Sequence, residues 1–525
     1  MAGTFAWRLD AKGAEMKRRI ALFLFLALLC PWRAGAHLGS ADVFFDGQAG
    51  PYPVQITIRV PPVVPGKAEI TVQVDSLEPA TVSFAPIASN IAVSNAPPAE
   101  TAQPVQGGTN LFSGELWLMT AGAYSIDILV RGKYGNGAVQ IPVNSIATSQ
   151  LPLPRRLGGI LLGLGFVLVC GVIAIVAAAA GESVLPPGTL PGNADRRKYW
   201  IAASVTTVVI ALLLTGGRKW WKSEEKDFRS RLVEGGWPDL AAIVHIKDSQ
   251  RILSLTLDWS GRRELATDHG KLLHLFLVRQ PNFDAFAHIH PIRTGEKTFD
   301  VVVPPLPEGD YEVLCDLTLA EGFSSTATNI VHIPASPNQP ASDHGMSADP
   351  DDSWSVDATV AGRDHPGNDT ICRLPDGTRV VWKAHLALCA QQDAGLRFDV
   401  QDQSGQAAVL EPYMGMMSHA AVLRSDGRVF SHLHPSGNFS MAAQMYFDAK
   451  VARETGIPAK NENAGADPIC SMDLLKMGRT SNPSEITLPY QFPTAGNYRI
   501  WVQIKTGGRV RTAVFDTTVL DNRHY

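Results

Sequence analysis

Two short phrases carry the residues with the clearest chemical potential: FAHIHP at 286–291 and FSHLHP at 430–435, preceded by His274 and His419 respectively. Imidazole is a common ligand for zinc and copper, and near neutral pH it keeps a lone pair free to bind. Counting along hairpins tests whether each trio converges. In the second phrase, Ser425-Asp426-Gly427-Arg428 supplies the Asp-Gly pair that favours a two-residue type I′ turn. Pairing Ser425 with Arg428 sets His419 opposite His434 and Ala421 opposite His432. Side chains alternate, so His419, His432 and His434 share one face. In the first phrase a three-residue loop, Pro281-Asn282-Phe283, sets His274 opposite His290 and Phe276 opposite His288, which rebuilds the cluster. Another loop type would shift the register by one and turn His274 to the other face.

His269 aligns with Met414, so each copy offers a further donor, and Met417 falls on the face of His419. Imidazole with thioether favours copper, particularly Cu(I), over Mg or Ca. Zinc held by three histidines is the alternative. The competing structural reading makes the histidines hydrogen-bonding groups of an edge hairpin and the methionines gap fillers. Two H-x-H-P copies, each with a cross-strand histidine, weigh against it. A blue-copper site needs a Cys ligand with two His, and Cys470-Ser471-Met472 has no histidine nearby. A cupin-like enzyme would place Glu soon after H-x-H; Glu296 follows the first phrase, but the second has no counterpart. Cleavage after Ala36 would expose His37, yet no other histidine precedes His245 to complete a clamp. Cys372 and Cys389 are the best candidates for a disulfide.

The elements that must hold these residues read as strands. YPVQITIRV (52–60), LSLTLDW (253–259), LRFDVQD (396–402) and RTAVFDTTV (511–519) alternate apolar and polar residues, the pattern of half-buried β-structure. A Gly turn feeding a strand recurs in TAGAYSIDI (120–128), PEGDYEVLC (307–315) and TAGNYRIWV (494–502), with Tyr124, Tyr311 and Tyr498 placed as corner tyrosines. Three phrases predict three Ig- or cupredoxin-like β-sandwiches, at 37–150, 237–334 and 353–525. The last two match over a longer stretch, ILSLTLDWSGRRELATDHGKLLHLFLV (252–278) against LRFDVQDQSGQAAVLEPYMGMMSHAAVL (396–423), which marks a duplication. A Pro/Ser/Asp-rich linker (335–352) separates them, and an insertion near 440–483 is specific to the last copy.

Residues 16–36, MKRRIALFLFLALLCPWRAGA, have the basic, apolar and small-residue order of a secretory signal peptide, so 1–36 is assigned to it, with Met16 as a second candidate start. The uncharged run within 157–181 and the aromatic-flanked run 199–217 are long enough to cross a bilayer as helices, joined by a cytoplasmic loop at 182–198. The expected setting is the cytoplasmic (inner) membrane, with the soluble mass on the extracytoplasmic side. A net charge of -4 over 525 residues gives no field for holding a phosphate backbone and argues against nucleic acid.

The phrases HLFLVRQPNFDAFAHIHP (274–291), YMGMMSHAAVLRSDGRVFSHLHP (413–435) and FPTAGNYRIWVQ (492–503) resemble extracytoplasmic copper-handling modules of the FixH/YtkA-like and cupredoxin-like kinds. That resemblance implies copper buffering or delivery to a receiving or exporting membrane protein; the missing Cys ligand departs from cupredoxins that transfer electrons. The expectation is a membrane-anchored copper-binding protein with no catalytic residues. An envelope interaction protein with structural histidines and a His-based metalloenzyme are the alternatives.

Overall fold

The computed structural model describes residues 42–522, apart from 77, 79, 149–152, 187, 235–237, 260–262, 337–348, 363–368, 384–386 and 457–483. The signal segment, His37 and Cys470 lie outside the described residues.

Most of the chain is β-sheet, arranged in pairs of facing sheets. In the first pair, strands Val43–Ala49, Tyr52–Arg59, Gly66–Val74, Leu111–Leu118 and Gln103–Pro104 run side by side. They face a sheet of Glu100–Thr101, Ala80–Ala88, Gly122–Gly132 and Gly135–Ser145. Alternation decides which side chains meet: Val54, Ile56 and Ile58 of one strand are buried, and so are Ile126, Ile128 and Val130 of the other sheet. The two later pairs repeat one plan. In the first repeat, Gly309–Leu319 pairs with Leu273–Arg279, which pairs with Ala285–Ile289; in the second, Gly496–Thr506, His419–Arg424 and Phe430–Leu433 stand in the same order. The three tyrosine phrases all make the corner contact: Tyr311 donates to Pro307 O at 2.8 Å, Tyr498 donates to Thr494 O at 2.7 Å, and the Tyr124 hydroxyl accepts from Thr120 N at 3.2 Å.

Three expectations are corrected, and the insertion is found to carry a helix. Ser353–Val356, assigned to the last sandwich, pairs with Ala285–Ile289 and completes the edge of the first repeat. The inserted segment contains helix α3, Met441–Thr455, after α1 (Arg155–Glu182) and α2 (Asn193–Glu234). Ser440 caps α3 by accepting from Ala443 N at 3.2 Å, and Gly456 ends it in the left-handed conformation. Cys372 and Cys389 are free thiols: the Cys372 side chain faces Thr359 O, while Cys389 lies against the last strand at Leu520. The turn after His419–Arg424 has left-handed backbone only at Gly427, so it is not type I′, although the expected register is present, with Ala421 opposite His432.

Helices α1 and α2 are long and apolar enough to cross a membrane. Helix α2 extends well beyond 199–217 at both ends. Leu162, Phe166 and Ile175 of α1 and Leu213 of α2 are exposed. The two helices approach closely at Gly181, where a Cβ would meet Tyr199 at 3.3 Å.

The sandwiches interlock around the end of the second histidine hairpin. Gly437 bridges to Phe45, Asp46 N donates to Ser436 O at 3.1 Å, and Phe44 N donates to Asn438 Oδ1 at 2.8 Å. Phe44 enters the core of the second repeat beside Tyr490, while Met416, Phe439 and Met441 enter the core of the first sandwich.

Candidate metal centre

The histidine-bearing sheets of the two repeats stack face to face. Phe286 lies flat on Trp501, with ring centroids 4.7 Å apart and an interplanar angle of 11°, and Phe276 meets Phe430 at 5.1 Å. Each hairpin therefore aims its imidazoles at the other. His269, His274, His288, His290, His419, His432 and His434 form one continuous cluster, with neighbouring rings 4.5 to 6.5 Å apart. His288 and His419 are 0% exposed, and His290, the most exposed of the five fully buried rings, only 4%. Among the other described histidines, His245 and His332 lie on the surface.

The grouping differs from the sequence expectation. Ligand nitrogens of His274, His288 and His290 lie within 4.8 Å of one another, as do those of His269, His419 and His434. The second set borrows His269 from the first repeat, and His432 stands between the sets, 5.3 Å from His274 and 4.5 Å from His434 by ring centroids. The crossing depends on a tight turn. Asp268 and Lys271 exchange both backbone hydrogen bonds around His269 and Gly270, both left-handed. Tyr413 and Met416 do the same around Met414 and Gly415. Met417, just before the strand, is partly buried and packs against the apolar core of the second repeat.

Hydrogen bonding fixes the first set's tautomers. Gln503 donates its amide nitrogen to Ser353, so its Oε1 accepts from His288 Nδ1 at 2.9 Å, which leaves the lone pair of His288 on Nε2. His274 Nε2 faces the Asp268 carbonyl at 3.1 Å and must donate, which leaves its lone pair on Nδ1. These two lone pairs face each other across 3.2 Å. A proton cannot resolve this, because burial and the neighbouring imidazoles push His274 down to about 3. A metal can: nitrogens about 2.0–2.1 Å from a tetrahedral ion lie about 3.3 Å apart. The donor set thus fits a bound ion.

The other rings support the same reading. Burial, with the other imidazoles, holds His288, His290, His419 and His434 well below 6.5, so they are neutral and could serve as ligands. Neither nitrogen of His419 has a hydrogen-bond partner, nor does Nε2 of His290 or His432. Four such atoms would cost about 4–12 kcal/mol if left unpaired, comparable to a whole domain's stability. The opposite nitrogens meet carboxylates: His290 Nδ1 lies 2.8 Å from Asp352 and His432 Nδ1 lies 3.4 Å from Asp316. Burial, reinforced by Asp349, pushes Asp352 up to about 7.

Sequence reasoning missed Asp316, Asp352 and Gln503. A signal for two of them was present: Asp316 and Gln503 hold the same place, five residues after the corner tyrosine, opposite His274 and His419 respectively. Each then orients a histidine of the other repeat. Asp352 lies at the end of the linker, where no pattern marked it.

A family model described as a domain of unknown function (DUF8832) matches residues 372–521. No match was found among curated proteins. Among solved structures, the BSP domain of a biofilm-associated protein aligns over 94% of this chain and 68% of its own, at 8% identity and a TM-score of 0.14. Salmonella alpha-2-macroglobulin aligns over 94% of this chain and 24% of its own (8% identity, TM-score 0.17). Invasin, a bacterial integrin-binding protein, aligns over 89% and 60% (9% identity, TM-score 0.13).

Proposed function

We propose that this is a membrane-anchored metal-binding protein whose buried histidine cluster holds copper, with its soluble domains on the extracytoplasmic side. The observation that carries the reading is the pair of lone pairs on His274 and His288, 3.2 Å apart in a buried site. All-imidazole donors suit copper and zinc and do not suit Mg or Ca. Uncharged ligands add no negative charge to the site, which favours the singly charged Cu(I). The near-complete burial supports retention or slow transfer of the ion over turnover of a substrate. The apolar helices support anchoring in a bilayer, and the basic-apolar-small segment at 16–36 supports export.

The test is to purify the full chain in detergent, titrate Cu(I), Cu(II) and Zn(II), and compare it with the variant His419→Ala/His432→Ala/His434→Ala. Wild-type protein should retain copper through desalting, and the triple variant should lose most of it. Wild-type protein that takes up no metal at micromolar concentration would sink the proposal; zinc retained in preference to copper would replace the metal.

A further inference from the structure

We infer that the cluster is a binuclear centre, with one ion on His274, His288 and His290 and a second on His269, His419 and His434. This rests on the metal-binding reading above and sharpens it. The two sets share no residue, and each alone brings three nitrogens within 4.8 Å. They adjoin through His269 and His274, 6.0 Å apart, and through His288 and His419, 6.5 Å apart.

Coordination number argues against a single ion. A four-coordinate ion satisfies four of seven imidazoles and leaves three buried rings without a use for their lone pairs. Unpartnered nitrogens occur in both sets, on His290 in one and on His419 in the other. Two ions at three ligands each, with His432 free to complete either, account for all seven. Carboxylates also stand behind two of the rings, Asp352 behind His290 at 2.8 Å and Asp316 behind His432 at 3.4 Å. The second ion also joins the repeats, because His269 is supplied from one and His419 and His434 from the other.

The experiment measures bound metal per chain after loading full-length detergent-purified protein with Cu(I), and separately with Zn(II), in wild type, His290→Gln, His419→Gln and the double variant. His290→Phe and His419→Phe serve as non-ligating controls, and near-UV circular dichroism reports whether each variant is folded. The expected values are two ions per chain in wild type, one in each single variant and none in the double. In the Cu(II) form, each single variant should show one full spin by electron paramagnetic resonance, and wild type fewer than two through coupling. One ion in wild type that either folded variant abolishes would overturn the binuclear assignment while leaving metal binding intact. Two ions that a single folded variant removes together would overturn the division of donors. No ion in wild type would overturn both this inference and the reading beneath it.

Discussion

Asp352 makes the sharpest single test of the site proposed for the first ion. Its Oδ1 accepts from His290 twice, from the backbone nitrogen at 2.9 Å and from Nδ1 at 2.8 Å. The second bond fixes the tautomer, so that the His290 lone pair sits on Nε2 and turns into the cluster. Asp352→Ala removes both hydrogen bonds without altering His274, His288 or His290 themselves. Loss of such a partner behind a metal-bound histidine weakens metal binding by about 10–100-fold, or about 1.4–2.7 kcal/mol. Asp352→Asn keeps an acceptor oxygen without the charge, and should fall between wild type and Asp352→Ala. The assay is competition against a chromophoric Cu(I) chelator, resolving the weaker from the tighter ion. Only the ion on His274, His288 and His290 should weaken, since Asp352 contacts no histidine of the other set. An Asp352→Ala protein within twofold of wild type, or one in which both ions weaken equally, would refute the claim that this carboxylate acts through His290.

Gln503→Leu removes the nearer acceptor of His288 Nδ1–H, leaving Tyr413 Oη at 3.3 Å, loosens the hold on the ring's tautomer, and should weaken the same ion by up to about tenfold in the chelator assay. Gly437→Ala should disrupt the docking of the first sandwich, because the new Cβ would lie 2.1 Å from Phe44 O and the backbone φ is +150°; faster amide exchange in Val43–Ala49 and a lower unfolding temperature are the readouts. Burial pushes Glu312 from its ordinary 4.5 to about 7. Below pH 4.5 both states hold the proton and nothing is lost; between 4.5 and 7 the unfolded chain releases it first, so stability falls as pH rises, and the full penalty applies above 7. That interval corresponds to about 3 kcal/mol at most, and partial exposure reduces it to about 1–2 kcal/mol. Glu312→Gln, which can keep a hydrogen bond with Gln280, should therefore raise the unfolding temperature at pH 8 and leave it unchanged at pH 4.

The hairpins were legible because their information is local. Period-two alternation and turn spacing are enough to set His274 beside His290 and Ala421 opposite His432, and the second register holds even though its turn is not the expected type. The tyrosine corners were legible for the same reason: donor and acceptor are four residues apart. What could not be read was which sheet faces which. Grouping His269 with His419 and His434 requires the two repeats to stack on their histidine faces, and no periodicity within one repeat encodes that. Helix α3 was missed because its buried face is divided: Phe447 enters the core of the first repeat and Met441 that of the first sandwich. Asp352 was read as linker because acidic residues near Pro and Ser usually indicate solvent-exposed chain.

The stacking also explains why the chain carries two copies of the hairpin. A single repeat buries its histidines on a sheet face but cannot supply what their remaining nitrogens need. His288 of the first repeat is oriented by Gln503 of the second, and His432 of the second faces Asp316 of the first. The turn at His269 reaches the second set, and its equivalent in the other copy carries Met414. The exchange is therefore close to twofold in geometry but unequal in chemistry: Asp stands where its counterpart is Gln, and His where its counterpart is Met. A carboxylate behind an imidazole makes the ring a stronger donor to a divalent ion, whereas a neutral amide does not. The inequality sits at the positions that tune a ligand, while the six hairpin histidines match in pairs. On the metal-binding reading, duplication supplies a closed, buried site that neither copy completes, and divergence at Asp316/Gln503 and His269/Met414 would give its two halves different preferences for an ion's charge and softness.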